Sequence, residues 1–303
     1  MLYNYDDLKR LQALSLNEKI MLSQTRIFEW YLKYKGNVCV SYSGGKDSTV
    51  LLHLVRSIYP DVKAVYVDTR LDYPEVRQHA LSTENLVVLK PEQNFRQVID
   101  NYGFCYPSKD VARHIEAARR NVPYAAPLFE GKTKDGREHK FYAQYQKWKW
   151  LIETDLKISD KCCSVMKEKP LAKYQRETGL YPYVGILASE SARRRSAWYR
   201  SGCNAFRAGK SKPLSIWTEQ DILKYIVDNN LKIPAVYGEI INVDGKLKCS
   251  GVNRTGCIFC PIASHLEKPN KFQRVKETHP ALYKYCMKEL GLDEFLNVVG
   301  VAH

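Results

Sequence analysis

Apolar residues recur near helical spacing over residues 6–34, where Leu8, Leu11, Leu14, Ile20, Leu22 and Ile27 stand among charged neighbours. That spacing predicts helix. Gly36-Asn37 breaks it, and the pattern turns into short apolar runs. Val38-Cys39-Val40-Ser41-Tyr42 reads as a buried strand, Thr49 to Ile58 as an apolar helix, and Val62 to Val67 as a second strand ending on Asp68. Pro74 to Leu81 continues as helix and Leu86 to Leu89 as a third strand. Strands alternating with helices predict an α/β fold: a parallel twisted sheet flanked by helices, followed by a small cysteine-bearing C-terminal extension.

Beyond residue 90 the signal is weaker. Gln93 to Tyr102 and Asp110 to Arg120 read as helices, and residues 122–140 as a basic loop. Residues 141–153, FYAQYQKWKWLIE, interleave aromatics with Lys147 and Lys149. An amphipathic helix packing its rings into a core explains them, with a stacking surface for bases as the alternative. Cys162 to Thr178 reads as helix and Tyr183 to Leu187 as strand. Glu219 to Asn229 reads as a helix capped by Thr218. Asp244-Gly245 marks a tight hairpin turn, and residues 268–290 look helical and basic.

Composition narrows the class. The chain has 303 residues, 45% of them hydrophobic and 26% charged, as ordinary globular proteins do. No apolar run approaches the roughly 20 residues of a membrane helix. The first residues carry no signal-peptide pattern, so a cytoplasmic protein is expected. The net charge of +14 exceeds what one nucleotide requires and suits a DNA or tRNA partner, although a solvated basic surface explains it too. Nine cysteines, an odd number, argue against a disulfide framework in such a setting.

Ser43-Gly44-Gly45-Lys46-Asp47-Ser48 lies between a strand and a helix. Two glycines let backbone approach an anion, and the following helix offers free N–H groups and a positive dipole end. Ser43 and Ser48 add hydroxyls, and Lys46 can offset phosphate charge. The spacing is not that of a Walker A loop. The expected organisation is an N-terminal helical segment over 1–35, a nucleotide-binding domain over 36–240 and a cysteine-bearing region with basic helices over 241–303.

SGGKDS resembles the PP-loop of the ATP pyrophosphatases, a Rossmann-like adenine nucleotide α-hydrolase superfamily that includes the phosphoadenylyl sulfate (PAPS) reductase family. Tyr66-Val67-Asp68-Thr69 and Tyr73-Pro74-Glu75 are similar to the family's next strand end, with Arg70 where a glycine is usual. The resemblance places Asp68 beside the adenosine. Lys161-Cys162-Cys163 through Pro170-Leu171, together with Gly256-Cys257-Ile258-Phe259-Cys260-Pro261, resembles the cysteine segments of iron–sulfur adenylyl sulfate reductases. It implies a [4Fe–4S] cluster on Cys162, Cys163, Cys257 and Cys260, with zinc as the alternative metal and Cys203 and Cys249 as reserve ligands. Lys161, Lys167, Lys169 and Arg254 are expected to favour thiolates there. Adjacent cysteines on a helix face about 100° apart, which strains joint ligation. Gly185 to Arg194 resembles the reductases' Gly-x-Arg-x-x-Glu-Ser-x-x-Arg, with Leu187 at the first arginine; Glu190 lies at the nucleotide and Arg194 faces phosphate or sulfate by that match.

The reductases' C-terminal Glu-Cys-Gly segment is not matched by Leu296 to His303. The pattern looks closer to reductase-like members of DNA phosphorothioation systems. That resemblance implies an enzyme that binds ATP and Mg2+, adenylates a substrate with catalytic Lys46, Asp47 and Arg194, and takes sulfur from a cysteine desulfurase or another donor. A sulfonucleotide (APS/PAPS) reductase with a non-standard thiol and a non-catalytic nucleotide-sensing, nucleic-acid-binding subunit are the alternatives.

Overall fold

In the computed structural model, which describes residues 2–303, the chain forms two compact units. The sheet unit takes the chain up to Lys90 together with Pro170–Thr255, and the thiol unit takes Pro91–Lys169 with Gly256–His303. These boundaries differ from the 1–35, 36–240 and 241–303 division expected above.

The sheet unit is built on six strands: β1 (Val38–Tyr42), β2 (Lys63–Val67), β3 (Leu86–Leu89), β4 (Tyr181–Val184), β5 (Asn204–Ala205) and β6 (Lys210–Ser211), in the order β3-β2-β1-β4-β6-β5. All neighbours are parallel except β5 with β6. Val40 in β1 stands opposite Ala64 in β2 and Tyr183 in β4. β1 is buried along nearly its whole length, as a strand covered on both faces must be. The fourth strand begins at Tyr181 rather than Tyr183, where the Tyr181 N–H reaches the Asn37 carbonyl.

The expected helix over 6–34 is two helices, α1 (Tyr5–Gln12) and α2 (Leu16–Lys33). Ser15 starts the second one: its hydroxyl accepts the Glu18 N–H while Glu18 accepts the Ser15 N–H. α2 is part of the sheet unit's core, not a separate segment. Ile27 and Trp30 are fully buried in it. Ser23 donates to the Pro213 carbonyl and accepts from Trp217 Nε1, and the Ile27 carbonyl accepts from Tyr183 Oη. Lys19 meets Asp221 at 2.8 Å. α3 (Lys46–Arg56) follows β1 and α4 (Pro74–Leu81) follows β2. β7 (Ile240–Val243) and β8 (Lys246–Cys249) form the expected hairpin at Asp244-Gly245.

The thiol unit is irregular, with short helices that include α5 (Phe95–Tyr102) and α6 (Lys109–Arg119). Residues 141–153 are not one helix but short turns around Ala143–Gln146 and Lys149–Glu153. Tyr145 and Leu151 are buried, while Phe141 and Trp150 are exposed. Cys162 to Thr178 is helical throughout, with a π-turn at Ser164–Glu168. Pro280 stops the expected 268–290 helix, because a proline cannot donate to the preceding turn.

Candidate functional site

The sheet unit's functional side chains gather where the strand order reverses. β1 and β4 lie side by side while their connections leave toward opposite edges, so loops at their carboxyl ends border a crevice. The loop after β1 is Ser43-Gly44-Gly45, and α3 begins at Lys46. Gly44 has φ +72°, and a Cβ there would stand 2.7 Å from the Val76 carbonyl oxygen. Only glycine fits. Ser48 Oγ donates to the Gly45 carbonyl at 2.9 Å, lies 3.0 Å from Ser43 Oγ and accepts the Ser43 N–H. The hydroxyls therefore close the turn on itself. The N-cap residue Gly45 has no side chain to cap α3, and the first helical N–H, that of Lys46, goes to Tyr237 Oη; the dipole of that helix end favours an anion.

Lys46 is buried. Its ammonium donates to the Asn253 carbonyl at 2.7 Å, pairs with Glu219 at 3.2 Å and lies over the Tyr237 ring. Tyr237 Oη in turn accepts the Lys46 N–H and bonds Thr255 Oγ1. The side chain expected to meet phosphate is thus engaged with protein groups. Asp47 differs: its Oδ1 is buried with no hydrogen-bond partner. Burial raises its pKa, while Lys46, Arg254 and Arg194 oppose the rise. A buried orphan acceptor fits a missing donor or cation.

Glu190 accepts the Leu187 N–H and pairs with both Arg194 and Arg254, the latter at 3.7 Å. Burial pushes the Arg194 guanidinium down, and the second arginine adds to the fall. Two guanidiniums thus share one carboxylate, with Asp47 near. Leu187, at the position of the family's first arginine, is buried in the core. Arg254, expected beside the thiols, belongs to this cluster instead.

Asp68, at the end of β2, is held by a guanidinium fork: Arg77 Nε and Nη2 donate to its two oxygens at 2.9 and 2.8 Å. The Arg77 bonds hold the Asp68 carboxyl below its usual range despite burial. Arg70 stands at φ +57°, the left-handed conformation for which glycine is suited, and its N–H donates to Asp68. Arg77, Tyr237 and Glu219 as site neighbours were not foreseen; no local motif marks them, because each arrives from another segment.

The thiol unit brings the four expected cysteines together. Cys162 and Cys163 lie on a helical turn just before the π-turn, and the Cys260 N–H bonds the Cys257 carbonyl at 3.1 Å. No cysteine is in a disulfide. Burial raises the Cys162 thiol, and Cys163, Cys257, Cys260 and Cys105 raise it further, which places five thiols in one neighbourhood. Cys105 was not foreseen. Burial also raises Cys260, against Lys271 and Lys167. At Cys260, burial therefore outweighs the two lysines. Burial lowers the Lys109 ammonium, but its hydrogen bond to Cys163 and the Cys163 and Glu168 charges outweigh that and raise it overall. Among the described residues no three His, Cys, Asp or Glu side chains close to single-ion distance. The donor set nonetheless fits a thiolate-bound group, since clustered buried thiols ionise at a cost that a metal removes. Cys203, bonded by Ser215 Oγ, and Cys249 in β8 lie in the sheet unit.

Comparison with known proteins matches residues 37–120 and 109–263 to the phosphoadenosine phosphosulfate reductase domain. An uncharacterized protein of Methanocaldococcus jannaschii is 26% identical over 270 residues, 84% of this chain and 48% of that protein. A second from the same organism is 24% identical over 80% of this chain and 40% of its own length. The chain thus spans about half the length of these relatives. An adenosine 5'-phosphosulfate reductase of Staphylococcus haemolyticus is 23% identical over 74% of this chain and 75% of that enzyme. A phosphoadenylyl-sulfate reductase structure from Candida auris aligns over 78% of this chain and 91% of that one, at 14% identity and a TM-score of 0.39. Through the match over 37–263, this chain belongs to the phosphoadenosine phosphosulfate reductase domain family.

Proposed function

We propose that the chain is an adenine-nucleotide enzyme acting at the α-phosphate, cleaving ATP to AMP and pyrophosphate to adenylate an acceptor for sulfur transfer or nucleic-acid modification. One observation carries this reading: the α3 N-terminus and the Gly44 turn share the crevice edge with Arg194, Arg254 and the orphan Asp47 oxygen. Loop amides bind the phosphates. Arg194 and Arg254, shared on Glu190, neutralise charge that grows as the α–β bridge breaks. Asp47 is the residue that would hold magnesium, which would supply further charge neutralisation on the pyrophosphate. Lys46, engaged with Glu219, holds the loop in place. Asp68, already satisfied by Arg77, orients the β2 end beside the adenosine. Cys162, Cys163, Cys257 and Cys260 would hold an iron–sulfur cluster or zinc. A DNA or tRNA acceptor accords with the net charge of +14, and a cysteine desulfurase or another donor would deliver the sulfur.

Sulfonucleotide reduction is the second reading, favoured by the relatives named adenosine 5'-phosphosulfate reductase. Against it stand this chain's other thiols. Cys39 and Cys286 are buried and pushed up to about 12, and burial raises Cys203. A thiol that attacks sulfur needs the opposite environment.

The test measures AMP and pyrophosphate from ATP, with DNA and tRNA as acceptors, beside sulfite from adenylyl sulfate with reduced thioredoxin. We expect pyrophosphate release that falls at least tenfold in Asp47→Asn. Sulfite release without pyrophosphate establishes the second reading, and neither product sinks both.

A further inference from the structure

The sheet unit holds a cavity of about 430 Å³ whose lining includes no residue of the Ser43–Ser48 turn. That volume is the size of a small-molecule site. Its walls are apolar and aromatic: Leu11, Leu22 and Ile216 with Tyr3, Trp198 and Phe206. Local sequence builds it. The helix Ala192–Ser201 ends on Gly202 at φ +62°, where a Cβ would stand 2.9 Å from the Tyr3 ring. The Leu2 and Tyr3 N–H groups both donate to the Tyr199 carbonyl, at 2.9 and 3.0 Å, which lays the N-terminal segment along this helix. Tyr3 packs on Trp198 with ring centroids 4.8 Å apart.

Two polar features mark the cavity. Trp198 is 2% exposed, and its Nε1, a donor only, has no hydrogen-bond partner. Burial raises the neighbouring Cys203 thiol, and Ser215 and Trp198 lower it in part. A thiol is a weak acceptor, however, and this one already takes the Ser215 hydroxyl at 3.2 Å. A buried donor left unsatisfied is costly, and an acceptor brought by a ligand removes that cost.

Arg26 is the second feature. Its Nη1 donates to both Glu29 oxygens, at 2.6 and 2.8 Å, and Asn204 Nδ2 donates to Glu29 Oε2 at 3.1 Å. Glu29 is thus satisfied by the protein, whereas a guanidinium carries five N–H donors and Nη1 supplies two of them. Among the charged lining residues Arg10 and Arg26 outnumber Glu29, a surplus of one positive charge.

We propose that this cavity binds a small aromatic monocarboxylate, its ring among Tyr3, Trp198 and Phe206 and its carboxylate taking the charge of Arg26 and the unsatisfied N–H of Trp198. The ring walls supply apolar area and edge-to-face contact, and the carboxylate supplies the acceptor and the single negative charge that the lining lacks. The proposal requires no nucleotide chemistry and stands apart from the function proposed above.

The experiment titrates the full chain calorimetrically with phenylacetate and indole-3-acetate, and with phenylacetamide as the neutral probe, with and without ATP. At least one acid is expected to bind one to one, about tenfold or more tighter than the amide, with an affinity that ATP leaves unchanged. Arg26→Gln weakens the acid by a similar factor, and Arg26→Lys keeps most of the affinity. Leu22→Trp, which fills the cavity and keeps the charge, abolishes binding. No saturable binding of either acid to wild type overturns the proposal. So does equal affinity for acid and amide, an acid affinity unchanged in Arg26→Gln or in Leu22→Trp, or an acid that ATP displaces. Thermal midpoints check that each variant folds; if Arg26→Gln does not, Leu22→Trp and the acid–amide comparison on wild type decide.

Discussion

Asp68 and Arg77 show how one contact between separate segments defines a local site. The Asp68 side chain is nearly inaccessible, yet it stays ionised because both of its oxygens accept from one planar guanidinium. Its folded pKa lies below the unfolded value of about 3.9. The stability it contributes is therefore complete above that value and lost as pH falls through the folded one. Replacing Arg77 by Gln leaves a buried carboxylate with a poorer partner. The variant is expected to be less stable than wild type at neutral pH, with the gap closing below about pH 4. Urea denaturation between pH 3 and 7 checks this, and a gap that widens in acid contradicts it. The Asp47 Oδ1 oxygen is the contrasting case, buried without a hydrogen-bond partner, and burial raises the pKa of its carboxyl.

At the scale of elements, punctuation decided more than propensity. The run over 6–34 has helical periodicity throughout, but the Ser15–Glu18 capping box starts a second helix inside it. That break lets α2 run as an 18-residue element in the sheet unit's core. Ser15→Ala should cost about 1 kcal/mol of stability by removing the cap, read as a lower denaturation midpoint. A variant as stable as wild type would mean the break is imposed by packing alone. The Ser43-Gly44-Gly45 turn is similarly local. Gly44 was legible as a residue needing freedom, though not the Val76 carbonyl that forbids a side chain. The π-turn after Cys163 was not foreseen.

On the scale of the molecule, the Ser43–Ser48 turn and the clustered cysteines belong to different compact units, each made of two distant stretches of chain. Ligands that act on one unit should therefore protect that unit first. Amide hydrogen exchange is expected to slow in the Ser43–Ser48 turn and α3 on adding ATP or adenylyl sulfate. Removing bound metal should speed exchange in residues 91–169 and 256–303, with little change in β1 and β2. Uniform changes over the whole chain in both experiments would count against two separately stabilised units.

The sequence alone determined the α/β class, the glycine turn between β1 and α3, the Thr218 cap and the hairpin at Asp244-Gly245, and family resemblance led to the expectation that Cys162 and Cys163 lie near Cys257 and Cys260. These are local signals: periodicity, turn chemistry and motif spacing report on neighbours a few residues apart, and family resemblance extends them. Tertiary structure decided the rest. It joined residues 91–169 to the C-terminal stretch, set Lys46 against Glu219 and Asn253, gave Asp68 to Arg77, moved Arg254 to Glu190, and added Cys105 and Lys109 to the thiols. Each of these contacts spans a sequence separation over which side-chain spacing carries no information, so only the packing of the folded chain could select the partner.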